Sequence, residues 1–204
     1  MRHLFTIMFA LIGLGLQAAT AADAFVSAPS SVFPLLDKNT RLDMLDYFRN
    51  GLSTPSNNLM QGTSVITALE PASVKVKMTD SSTAQVVVLP AGSDTVIALI
   101  STVATPGLDS TISFYDKDWR PLDNGRYFSK PGWKEWIQPG GNMDDVIMQT
   151  PFMLASYDYD PASSTLTLTN NLSKFLDADI YDMISGSLRP KLTYLWTGKK
   201  FDKR

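Results

Sequence analysis

Glu135 stands between Lys134 and Trp136, close in sequence to Asp116, Asp118 and Asp123. A glycosidase needs two carboxylates flanking its bond, one kept protonated by apolar surroundings, and Glu135 has the type and setting of such an acid. The same stretch is rich in rings. From Phe114 to Trp136 it carries Tyr115, Trp119, Tyr127, Phe128 and Trp133, and so holds three of the four tryptophans. Pro121, Gly125, Pro131 and Gly132 break it into a loop. Rings on a loop either form a rigid platform for sugar rings or a protein partner, or pack beneath the loop as a satellite core. Arg120 and Arg126 can stack on such rings or grip a carboxylate. The candidate binding residues are therefore Trp119, Arg120, Arg126, Tyr127, Trp133, Glu135 and Trp136, and no catalytic residue is assigned.

Much other chemistry is excluded. The one histidine is His3, and there is no cysteine. Without imidazole or thiol in the body of the chain there is no Ser-His-Asp or Cys-His nucleophile, no His or Cys zinc site, no disulfide and no thiolate cluster. Ser-x-x-Lys and Gly-x-Ser-x-Gly are absent, and Gly198-Lys199-Lys200 lacks the upstream glycine of a phosphate loop. An oxygen-rich calcium loop starting at Asp116 fails, since Pro121 occupies the position that requires glycine and Tyr127 the position that requires an acid. No metal and no cofactor is expected. The formal net charge of −2 gives no support for nucleic acid as a partner or for docking on anionic lipid.

Export is legible at the N-terminus. Arg2, the uncharged apolar run Leu4 to Leu16 and the small residues from Ala18 to Ala24 form a secretory signal peptide. The apolar run is shorter than the roughly 20 residues of a membrane span, and no second such run follows. Cleavage is expected after Ala21, giving a leader 1–21 and one domain 22–204, with a second register between Ala24 and Phe25. The absence of cysteine excludes a lipoprotein, so the expected location is the periplasm or the extracellular space.

The elements follow from pattern. Eighteen aspartates against two glutamates, Glu70 and Glu135, favour turns and caps over helix surfaces. Val74, Val76 and Met78 alternate with Lys75 and Lys77 as in a half-buried strand, followed by turns at Asp80-Ser81-Ser82 and Pro90 to Asp94. The run Thr95 to Val103, apolar on both faces, reads as the central strand. Ile112 and Phe114 continue the meander, Phe152–Asp158 and Ser164–Asn170 form a hairpin, and Lys191–Thr197 is the last strand. Helices are expected behind Asn39 or Thr40 to Asn50, behind Ser173 to Ile184, and behind Asn142 to Met148. The first two should cover one face of the sheet. The fold class is α+β, a single domain dominated by an antiparallel sheet of meander hairpins with two or three short helices.

Phe25-Val26-Ser27, Leu42 to Phe48, Ser110 to Asp116 followed by Trp119, and above all the ending Leu188-Arg189-Pro190-Lys191-Leu192-Thr193-Tyr194-Leu195-Trp196 resemble an uncharacterised secreted family of Bacteroidales, domain of unknown function 3256. That resemblance implies a Gram-negative envelope or extracellular location and brings no activity, ligand or catalytic residue. The expected function is that of a non-catalytic protein binding an unknown protein or glycan partner through the aromatic loop. The alternatives are a carboxylate glycan hydrolase and a structural subunit of a surface assembly.

Overall fold

The structure, a computed structural model, describes residues 20–52 and 54–204. The apolar core of the expected leader lies outside these residues.

Period-two alternation builds a six-stranded antiparallel meander. Its strands are Ser56–Asn57 (β1), Thr63–Glu70 (β2), Ser73–Thr79 (β3), Ser82–Ala91 (β4), Asp94–Thr105 (β5) and Gly107–Tyr115 (β6), lying in sequence order. In β3, Val74, Val76 and Met78 are buried while Lys75 and Lys77 are half-exposed. A second antiparallel sheet, in the order β10-β9-β8-β7, comprises Ala155–Asp160 (β7), Thr165–Asn170 (β8), Lys191–Trp196 (β9) and Phe201–Lys203 (β10). Where one sheet was expected there are therefore two, within one α+β domain.

The doubly apolar β5 explains the layering. Val96, Ala98 and Ile100 enter a core shared with Tyr157, Leu166, Leu192 and Trp196 of the second sheet. Ile97 and Leu99 enter a separate core under Ala21–Ser27 (α1) and Lys38–Arg49 (α2). Arg41 of α2 ties the two helices together. It donates to the carbonyls of Val26 and Ala28 at 3.2 and 2.5 Å and lies over the Phe25 and Phe33 rings.

Helix ends correct the expectations. Asp37 caps α2, its Oδ1 accepting from the Thr40 N–H at 2.8 Å, so the helix starts before Asn39. Met143–Gln149 (α5) is capped by Asn142 as expected. The helix expected behind Ser173 is split. Asn170 Oδ1 takes the Leu172 N–H and starts a 3-10 turn, Leu172–Lys174, and Asp177 is extended, so the α-helix (α6) spans only Ala178–Ser185 before Gly186. The two pieces bury Leu172 and Ile184 beside Val146 of α5, in a third cluster. Thus α2 and α6 do not share a sheet face, since their apolar sides fit different cores. Two single turns, Asn124–Tyr127 (α3) and Trp133–Trp136 (α4), are too short to leave a periodic signal.

The N-terminal helix bears on the leader boundary. Thr20 caps α1 in a reciprocal box: its Oγ1 accepts from the Asp23 N–H at 3.1 Å, and Asp23 Oδ2 accepts from the Thr20 N–H at 3.2 Å. The Ala21 N–H donates to the Pro71 carbonyl at 2.8 Å, and Ala21 and Phe25 are fully buried. Both expected cleavage registers fall inside this helix.

Candidate functional site

Most rings of the 114–136 segment serve the cores. Asp116 Oδ1 accepts from the N–H groups of Asp118 and Arg120, both at 2.9 Å, and makes a tight turn that holds Trp119 at φ 60°. That conformation is unusual for a bulky residue, and it is fixed by burial. The indole packs against Phe33 and Tyr115, and its Nε1 donates to the Ala24 carbonyl at 3.0 Å. Tyr127 stacks between Phe114 and Trp196, with ring centroids 5.1 and 6.3 Å away. Trp136 is 1% exposed, inside the inter-sheet core. The chain passing from the first sheet to the second thus feeds both cores, Trp119 the one under α1 and α2 and Tyr127, Phe128 and Trp136 the one between the sheets. Trp119, Tyr127 and Trp136 therefore present no exposed platform.

The remaining candidates scatter. Glu135 Oε2 accepts from the Gly132 N–H at 2.9 Å, so this carboxylate caps α4 instead of standing free in a pocket. Arg120 is exposed and bridges Asp116 and Asp118 at 3.5 and 3.1 Å. Arg126 lies over the Tyr127 ring at 5.7 Å and lines a hollow with Asp94, Lys199 and Lys200, the last paired with Asp202 at 2.9 Å. Trp133, half-buried, borders an apolar cavity together with one side of the buried Trp136.

Two cavities flank this segment. The first, about 440 Å³, lies along β6 and is lined by Ser110 to Ser113, Asn124, Phe128, Lys130 and Tyr157. The second, about 250 Å³, is lined by Lys130, Pro131, Gly132, Trp133, Trp136, Pro151, Phe152 and Met153. Lys130 borders both, and among the described residues it forms no ion pair. The first cavity offers hydroxyls and an amide; the second offers rings and prolines. Lys130 is the residue their linings share, so one cation stands between a polar hollow and an apolar one. Burial pushes the Tyr157 phenol up to about 12, with smaller contributions from Asp109 and Tyr194, so it stays a neutral hydrogen-bonding group at physiological pH.

The floor of the first cavity is set by the way β7 crosses the first sheet. The N–H groups of Ala155, Tyr157 and Tyr159, on the side of β7 away from β8, donate to Asp109 Oδ1, Ser110 Oγ and Gln85 Oε1 at 3.3, 3.0 and 3.0 Å. Gln85 Nε2 returns a bond to the Tyr159 carbonyl at 2.7 Å. Side chains of β6 and β4 thus close this margin. The sequence reading missed Asn124, Phe128, Lys130 and Tyr157 as lining residues. The first three lie in the singled-out segment, but ring content drew attention away from the unpaired lysine between the rings, and Tyr157 reaches the site only through the sheet crossing.

Among the described residues no group of three His, Cys, Asp or Glu side chains is placed to hold a metal ion, and no helix is long and apolar enough to cross a membrane. The sequence profile of the family described as Protein of unknown function (DUF3256) matches residues 13–201. The chain belongs to this family. The fold is that of a domain of an uncharacterized protein from Porphyromonas gingivalis W83, with a TM-score of 0.78 and 20% identity, covering 92% of this chain and 99% of that one. No curated protein matches. Membership of the family carries a shared architecture and no assigned chemistry.

Proposed function

We propose that this is an exported, non-catalytic binding protein that holds a protein or glycan ligand in the groove between β6 and the 124–136 segment. The observation that carries the reading is Lys130, which borders both cavities and has no ion-pair partner among the described residues. Concave, mixed polar and aromatic surfaces with one placed charge are the usual form of a ligand site. The capping duty of Glu135 supports binding over hydrolysis, and the closed β7 margin supports it over assembly by strand addition at that margin. The test is capture on peptide and oligosaccharide arrays, comparing the unmodified protein with Lys130→Glu. Saturable capture lost in the variant is expected; capture that ignores the charge reversal overturns the reading. Glycan turnover abolished by Glu135→Gln would replace it with the hydrolase.

Export rests on the leader pattern. The helix cap at Thr20 supports a cut after Ala19, earlier than either register expected from small residues alone. An ammonium on Thr20 would sit against the Asp23 carboxylate, whereas a cut after Ala21 would place a charge on Ala22, which is 5% exposed. Mass spectrometry of the exported protein should give a Thr20 terminus; an Ala22 or Phe25 terminus would reject this register.

A further inference from the structure

The margin of β6 is unfinished, and the unfinished part lies inside the first cavity. In an antiparallel ladder, alternate residues direct both main-chain groups to the same side. Phe114 directs its N–H to Asn124 Oδ1 at 3.0 Å and its carbonyl to the Leu122 N–H at 2.9 Å, both away from β5. The Leu108 carbonyl, of the same parity, accepts from Asn171 Nδ2 at 2.8 Å. Ser110 and Ile112 lie between these two clamps and point their main-chain groups the same way. Among the described residues nothing pairs with the N–H or carbonyl of either. Both residues are nearly buried, 2% and 9% exposed, and both line the cavity. Buried main-chain groups are almost always paired, so an unpaired set on a cavity floor marks where a ligand's own donors and acceptors belong.

We propose that the groove takes an extended acidic peptide segment, which adds as a strand to β6 at Ser110 to Ile112 and places a carboxylate against Lys130. The proposal rests on the binding reading above and names the ligand class. Donors and acceptors repeating every second residue along a strand margin match an extended main chain, and an oligosaccharide has no such repeat. Between the clamps at Leu108 and Phe114 the open margin, Ser110 to Ile112, runs roughly 7 Å at about 3.4 Å per residue, which accommodates two or three residues of an extended segment. Among the described residues Lys130 is the one charged side chain lining either cavity, so it selects an anionic residue. Pro131, Trp133 and Phe152 beyond it receive an apolar side chain from a neighbouring residue of the segment.

The experiment uses the exported protein and short blocked peptides alternating valine with aspartate, followed by fluorescence anisotropy and by amide exchange of Ile112. The peptide should bind saturably and slow exchange at Ile112. Replacing aspartate by lysine, methylating the peptide nitrogens, or introducing Lys130→Glu should each weaken binding by about tenfold or more. Ile112→Pro, which removes the margin N–H along with the Ile112 side chain of the inter-sheet core, should do the same, and the exchange measurement on the unmodified protein stands if that variant does not fold. A neutral peptide with a free carboxyl terminus separates the source of the anion: binding equal to the aspartate peptide assigns Lys130 to a terminal carboxylate, and weaker binding assigns it to a side chain. Equal binding of methylated and unmethylated peptides, both lost in Lys130→Glu, overturns strand addition and leaves the groove in place. Peptide binding unchanged by Lys130→Glu overturns the groove as well.

Discussion

The margins of β7 and β6 meet at Ser110, and they are finished in opposite ways. On β7 the outward N–H groups of Ala155, Tyr157 and Tyr159 are all taken by side chains of the first sheet, and Gln85 also serves the Tyr159 carbonyl. On β6 the clamps stop at Leu108 and Phe114, and the main-chain groups of Ser110 and Ile112 open on a cavity. Unpaired margins invite association, and proteins normally close them. One closed margin beside one open margin is the pattern of a scaffold that prevents pairing at one place and leaves it available at another.

The largest effect should come from breaking the closed margin. Gln85→Leu keeps much of the volume but strips the Tyr159 N–H and carbonyl, and Ser73 Oγ, of their partner. Leaving buried groups unmet should cost about 2–4 kcal/mol in urea unfolding. A loss below about 0.5 kcal/mol would show that this closure is dispensable.

Alkali should act where the two margins meet. The folded Tyr157 phenol has its pKa raised to about 12 from an ordinary value near 10, chiefly by burial, and burial raises Tyr159 and Tyr194 in the same direction. The unfolded chain therefore releases these protons first. Stability is complete below pH 10 and falls as pH rises from about 10 to 12, by roughly 2 kcal/mol for Tyr157. Denaturant melts across that range, with Tyr157→Phe flattening the decline, check the assignment.

A smaller change should lengthen the open margin. Asn124→Ala removes the acceptor for the Phe114 N–H, at a cost of about 1 kcal/mol. Amide exchange at Phe114 should accelerate while exchange at Ile112 stays as it is. Unchanged exchange at Phe114 would mean that Asn124 does not define the end of the slot.

Alternation in the sequence was sufficient for most strands. Val74, Val76 and Met78 faced one core as their spacing required, and the two apolar faces of β5 entered two cores, although β5 lies beside the edge strand β6 and not at the centre of the sheet. Helices were read less well where Asp and Ser compete for main-chain groups, as at Asp37 and Asp177. The site was half legible. Ring content located the segment, but burial is a property of the assembled sheets, so spacing could not tell that Trp119 is wholly core, that Trp136 and Phe128 are core residues that each also border a cavity, and that Lys130 borders both cavities.

Composition and pattern alone determined that this chain has no imidazole or thiol chemistry in its body and folds as antiparallel hairpins with short helices, because residue types and period-two spacing are local quantities. Tertiary structure decided that the hairpins divide into two sheets, that β7 crosses the first sheet with its margin sealed by Asp109, Ser110 and Gln85, and that among the described residues nothing seals the margin of β6 at Ile112. Those outcomes depend on which residues distant in sequence come within hydrogen-bond reach, such as Gln85 and Tyr159, and that distance exists only after the chain has folded.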